Sequence, residues 1–130
     1  MRHMSFQLTT EQMRARTKTV TRRLGWCDLQ PGTVLQAVEK CQGLRKGQRV
    51  SKLGVIRVVS VRRERLTDLL HRHDYAAAEM KLEGFAGMEG RAFVEMFCRA
   101  NDCFITEYVN RIEFEHVPVP EQLVLGGFRG

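Results

Sequence analysis

Apolar and polar residues alternate along this chain over stretches long enough to define strands. TVLQAVEK, residues 33–40, follows the turn-forming pair Pro31–Gly32 and sets Val34 on one face with Gln36 and Val38. TEYVNRIEFEHV, 106–117, opposes Tyr108, Asn110, Ile112 and Phe114 to Glu107, Val109, Arg111, Glu113 and Glu115. That is the pattern of a half-buried antiparallel strand. VIRVVSVRRERL, 55–66, is rich in Val and Ile, which predicts a central strand whose basic end emerges at Arg62, Arg63 and Arg65. Ser5 to Leu8 predicts a short first strand, and KTVTRR, 18–23, extended chain.

Three segments change period. Thr9 or Thr10 is placed to cap a brief helix through Glu11, Gln12, Met13 and Arg14. Thr67 or Asp68 is placed to cap the next, where Leu66, Leu69, Leu70, Ala77 and Met80 predict one or two helices with HRHD, 71–74, as the break. MEGRAFVEMFCRAN, 88–101, puts Phe93, Met96, Phe97 and Ala100 at helical spacing, an aromatic stripe that belongs to the core. CQGLRKGQRVSKLG, 41–54, carries glycines and basic residues without period and reads as an exposed loop or hairpin. Strands outnumber helices and no regular β-α-β order appears, so the expected fold class is α+β with a curved or barrel-like sheet. One domain over 1–130 accounts for the pattern, its core at about 5–117 and the tail from 118 loosely held.

Charge alters this picture more than length does. Residues 1–65 carry 15 Lys/Arg against 4 Asp/Glu, and residues 66–130 carry 6 against 11, so a formal charge of +6 conceals a basic half and an acidic half. A positive face attracts phosphates and points to RNA or another polyanion as partner. No apolar run reaches the ~18 residues of a membrane span, and the N-terminus lacks the pattern of a secretory signal, so a soluble, cytoplasmic protein is expected. Cys27, Cys41, Cys98 and Cys103 then read as thiols. The C-R-A-N-D-C spacing is too wide for a structural zinc site, and His71 and His73, two apart, do not converge on a helix. No metal and no cofactor are expected.

The candidate chemistry lies in RTKTVTRRLGW, 16–26, and in E-G-F, 83–85. Lys18-Thr19-x-Thr21-x-Arg23, followed by a Pro-Gly turn, an Ile/Val strand with a basic end, and Glu83-Gly84-Phe85 ahead of Phe93 and Phe97, resembles the ASCH family over residues 5 to 117. The resemblance implies a PUA-like, curved mixed β-barrel with flanking helices, associated with RNA binding. Some family members remove the acetyl group from N4-acetylcytidine, and others cleave RNA. It implies a cleft with Lys18, Thr21 and Glu83 at the amidohydrolase positions and Arg23 on the signature arginine. The family usually has Gly two residues before the lysine, where this chain has Arg16; a glycine there allows a turn. The insertion around CQGLRKGQRVSK is similar to phage and prophage forms.

Threonine is a weak nucleophile and needs a base, which a neutral lysine supplies. Arg16, Arg22 and Arg23 are the cations expected to favour neutral Lys18. Glu83 then donates a proton or orients the leaving amine, or is an ordinary helix-end carboxylate paired with an arginine. In a regular strand Thr19, Thr21 and Arg23 share a face and Lys18 points away, so the reading requires a turn or bulge. Phe85 is expected in the core. Arg16, Thr19, Arg22, Arg23, Trp26, Arg45 and Lys46 are the candidate contacts to nucleic acid, with Trp26 either stacked on a base or packed inside. The expected function is RNA or modified-nucleoside binding, with N4-acetylcytidine deacetylation as the enzymatic form. A ribonuclease, a non-catalytic RNA-binding module, or an adaptor using Glu107, Glu113 and Glu115 are the alternatives.

Overall fold

The computed structural model describes residues 1–40 and 44–119. In chain order its elements are β1 (His3–Ser5), a 3-10 turn (Gln7–Thr9), α1 (Thr10–Arg14), β2 (Val20–Arg23), β3 (Val34–Val38), β4 (Lys52–Arg65), α2 (Asp68–His71), α3 (His73–Glu83), α4 (Gly90–Asn101) and β5 (Tyr108–His116). The five strands form one open mixed sheet in the order β1-β3-β4-β5-β2, with β1 parallel to β3 and every other pair antiparallel. The α+β expectation holds. β1 and β2 are the sheet's edges, and Arg23 of β2 reaches across to donate to the Ser5 carbonyl at 2.6 Å.

Several expectations are corrected in detail. The first strand ends at Ser5, because Gln7–Thr9 coils into the turn that leads to α1. In β3 Leu35 and Ala37 are fully buried and belong to the first core, whereas Val34 and Gln36 are half-buried; Val38, also fully buried, follows a shift of register after Ala37. β5 is buried on both faces: Ile112 and Phe114 enter one core and Val109 the other. Neither Thr9 nor Thr67 caps a helix with its side chain; the Thr10 hydroxyl instead donates to the Phe6 carbonyl at 3.1 Å. The HRHD break is real, with Arg72 between α2 and α3. Cys41 and residues 42–43 of the basic loop, and the chain from 120, lie outside the described residues.

Two apolar clusters hold the sheet. Met4, Phe6, Met13, Leu35, Ile56, Val58, Ile112 and Phe114 pack on the face that carries α1. Leu66, Leu69, Met80, Phe93, Val94, Phe97 and Val109 join α2, α3 and α4 to the far end of β4 and β5. Between these clusters the contact of α3 with the sheet is ionic. Arg22, Arg111 and Arg62 are cross-strand neighbours on β2, β5 and β4. They form a row facing Tyr75, Glu79 and Glu83, which recur every four residues on α3 and therefore share one helical stripe.

Candidate functional site

Two helix endings bring the candidate residues together. α1 closes with Arg16 N–H donating to Met13 and Thr17 N–H to Gln12, the double bond of a Schellman ending, with Arg16 in the left-handed region at φ 61°. The turn that the resemblance associates with glycine is thus present here on an arginine. α3 closes in the same way, with Gly84 at φ 94° and Phe85 N–H donating to the Met80 carbonyl. A Cβ on Gly84 would lie 2.9 Å from Gln12 Cγ and 3.4 Å from Lys18 Cβ, so only glycine lets these two endings pack. The turn after Arg16 delivers Lys18 outside the regular strand, which removes the alternation that would have pointed it away from Thr21.

Lys18 Nζ donates to the Glu83 backbone carbonyl at 2.7 Å and to Glu83 Oε1 at 2.8 Å. The other carboxylate oxygen accepts from Arg22 at 3.0 Å. Arg22 also donates to Glu64 at 2.7 Å and to Glu79 at 2.5 Å, and Arg111 pairs with Glu79 through two bonds. Tyr75 completes the set, bonded to Glu64 and Arg62. Lys18, Arg22 and Arg111 face Glu64, Glu79 and Glu83, three cations against three carboxylates. All six are buried. Among the described residues, no buried side-chain N or O atom lacks a hydrogen-bond partner.

The charges are set by this packing. Burial pulls the Lys18 ammonium below its ordinary pKa; Glu83 opposes the shift, and Arg23 and Arg22 reinforce it. For Arg22, burial would lower the pKa, but the bond to Glu64 and the charges of Glu83 and Glu64 outweigh it and raise it. Glu79 follows the same logic with opposite sign: burial alone would raise it, and its bonds to Arg111 and Arg22 hold it below the usual carboxylate range. His116, half-buried and hydrogen-bonded to the Lys18 carbonyl at 2.7 Å, is lowered by burial.

Lys18, Thr21, Arg22, Arg23 and Glu83 line one hollow of about 570 Å³, in the size range of small-molecule sites. Its lining includes Ser5, Phe6 and Leu8, and Phe85, Phe93, Met96 and Phe97 make an apolar wall. Phe85, expected inside the core, is half-buried at this wall. Thr21 Oγ1 accepts from Arg23 Nε at 3.1 Å, and the Arg23 guanidinium lies 4.9 Å from the Phe6 ring centroid. A second hollow of about 430 Å³, between α2, α3 and α4, lacks these buried charges; its walls include Leu69, Leu70, Ala76 and Met88.

The other candidates lie elsewhere. Thr19 is held by its backbone, donating to Leu82 and accepting from Phe114, and is not part of the hollow's lining. Arg16 is exposed and does not line the hollow. Trp26 packs against the first core with Arg2 at 4.2 Å from its ring, and does not line the hollow. Arg45 and Lys46 are exposed in their loop and also remain outside it. Cys27, Cys98 and Cys103 are free thiols, Cys103 pushed up to about 11 by burial and by Cys98. Among the described residues, no group of three or more His, Cys, Asp and Glu is arranged to hold a metal, and no helix is long and apolar enough to cross a membrane.

Glu64, Glu79, Arg111, Tyr75 and His116 were not anticipated from the sequence. The signal was present in part: Tyr75, Glu79 and Glu83 at steps of four mark one helix stripe. A polar stripe ordinarily faces water, and only the strand register shows it facing arginines. In comparisons with known proteins, no family model matches the chain, and neither the curated proteins nor the solved structures give a match.

Proposed function

We propose that this chain is an ASCH-type domain that takes a modified nucleoside into the Lys18–Glu83 hollow and hydrolyses an exocyclic amide, with N4-acetylcytidine as the substrate class. The observation that carries the reading is a buried lysine, paired to Glu83, that lines a half-apolar hollow together with Thr21. Burying these charges is costly and is poorly explained by stability alone, since apolar substitutes often serve as well. The partial approach of the two sheet edges, spanned by Arg23, is compatible with the curved PUA-like barrel that belongs to this reading.

In the proposed reaction the neutral form of Lys18, which burial brings within reach at lower pH than for a free lysine, accepts the Thr21 hydroxyl proton as Oγ1 attacks the acetyl carbonyl. Arg23 already donates to that oxygen, so it stabilises negative charge as it develops. The C–N bond breaks, Lys18 returns the proton to the departing N4 amine of cytidine, and water then cleaves the acetyl ester of Thr21 to give acetate. Glu83 holds Lys18 toward the hollow, and Arg22 holds Glu83. Phe85 and Phe97 offer apolar surface to the base and the acetyl methyl.

The test is incubation of the purified chain with N4-acetylcytidine, following release of cytidine. Turnover by wild type, abolished in Thr21→Val and Lys18→Met with the fold retained, is expected. Absence of turnover by the folded wild-type chain overturns the enzymatic reading.

A further inference from the structure

A second surface begins where the hollow ends. β2 and β5 pair Arg23 with Asn110, and β5 and β4 pair Asn110 with Arg63. Paired residues project on the same face, so Arg23, Asn110 and Arg63 form a row across three strands, about 10 Å wide at the usual interstrand spacing. The next row along β4 and β5 is Arg65 opposite Tyr108. The guanidinium carbons of Arg63 and Arg65 lie 4.1 and 5.1 Å from the Tyr108 ring centroid, and Tyr108 remains 37% exposed.

Arg63 and Arg65 are exposed. Among the described residues, neither is paired with a carboxylate, in contrast to Arg62 on the opposite face, which meets Glu64. Two like charges at successive positions on one face repel, and among the described residues no ion pair offsets them. Two guanidinia and an aromatic ring held together make a surface for alternating phosphates and bases, in which the cations meet the backbone and a base stacks on the ring or on a guanidinium plane.

We propose that Arg63, Arg65 and Tyr108 dock the backbone and a base of a single-stranded polynucleotide, one nucleotide of which is presented to the hollow at Arg23. The proposal rests on the nucleoside reading of the hollow for the fate of that nucleotide, while the docking itself is measured without turnover. A free nucleoside has no phosphate for the arginines, so this strip selects a strand.

Fluorescence anisotropy of an end-labelled, single-stranded 12-nucleotide RNA with the full chain, repeated across a salt series, tests it. The sequence-matched single-stranded DNA and the RNA duplex form the other arms. Arg63→Ala/Arg65→Ala is expected to lower the slope of log affinity against log salt by about 1.4, at about 0.7 per lost phosphate contact to a single strand. Tyr108→Ala is expected to weaken binding about tenfold, with Tyr108→Phe close to wild type. Arg63→Lys/Arg65→Lys should retain the slope, which separates charge loss from misfolding, and unchanged melting curves check the alanine variants directly. A preference for RNA over DNA assigns the sugar, equal binding assigns single strands of either kind, and both uphold the strip. An unaltered slope in the double alanine variant, or duplex binding as tight as single-strand binding with Tyr108→Ala silent, overturns it. Turnover of free N4-acetylcytidine by the wild-type chain judges the hollow separately.

Discussion

Lys18 and Glu83, 65 positions apart, are joined twice: the ammonium donates to the backbone carbonyl of Glu83 and to its carboxylate, with both side chains out of water. Removing one partner of such a pair strands the other in a low-dielectric interior. Glu83→Leu is therefore expected to cost about 3–5 kcal/mol, since Lys18 and Arg22 both lose an acceptor. Lys18→Met/Glu83→Leu should cost less than the two single changes together. Urea denaturation of the four proteins in a double-mutant cycle measures the coupling, and strict additivity would refute it.

Gly84 and Gly87 both adopt positive φ, at 94° and 87°, but only Gly84 has neighbours within 4 Å of its missing Cβ. Gly87→Ala should cost the conformational penalty alone, about 1–2 kcal/mol. Gly84→Ala should cost that plus the displacement of Gln12 and Lys18. The gap between their urea midpoints, at constant m, isolates the overlap.

Arg16 occupies a left-handed conformation that disfavours any residue with a Cβ. Arg16→Gly is expected to stabilise the chain by about 1 kcal/mol, or about 3–4 °C in Tm. A lower Tm in the glycine variant would mean that the Arg16 side chain contributes more than its backbone loses.

Stability should fall in two steps on acidification. The pKa of His116 is lowered from 6.5 by burial, with Arg16 adding to the shift and the Lys18 carbonyl opposing it, so below about 6.5 the unfolded chain binds more protons than the native one. Stability is then lost as pH falls from 6.5 through the folded-state value. Glu79, lowered from 4.5, contributes stability that is present above 4.5 and lost as pH falls through its own folded value. His116→Gln should flatten the first step in a series of melts at graded pH and leave the second. A first step that persists in this variant rules out His116 as its source.

Lys18 has the opposite consequence for alkali. Its native pKa lies below 10.5, so between the two values the unfolded chain holds the extra proton and stability rises with pH up to 10.5. If Lys18 is the proposed base, N4-acetylcytidine turnover rises with pH through that same native pKa. Lys18→Arg, which cannot become neutral in this range, should show neither trend.

The sequence by itself made the later strands legible, because alternation such as that of 106–117 follows from a period of two, and likewise the helical segments by their change of period, whereas the first strand begins two residues ahead of its expected place, much of which is the turn at Gln7–Thr9. It also marked K-T-V-T-R-R and E-G-F as the segments of interest. It did not determine which face of β3 is more enclosed, that Phe85 would be a wall of the hollow, or that Thr19 and Trp26 would lie outside it. Those outcomes depend on what packs opposite each residue. The buried charges illustrate the reason: Tyr75, Glu79 and Glu83 form a polar stripe that reads as solvent-facing until strand register places Arg22, Arg111 and Arg62 beneath it. Local pattern fixes backbone form, whereas the partner of a charge is fixed by contacts between segments distant in sequence, which only the tertiary structure supplies.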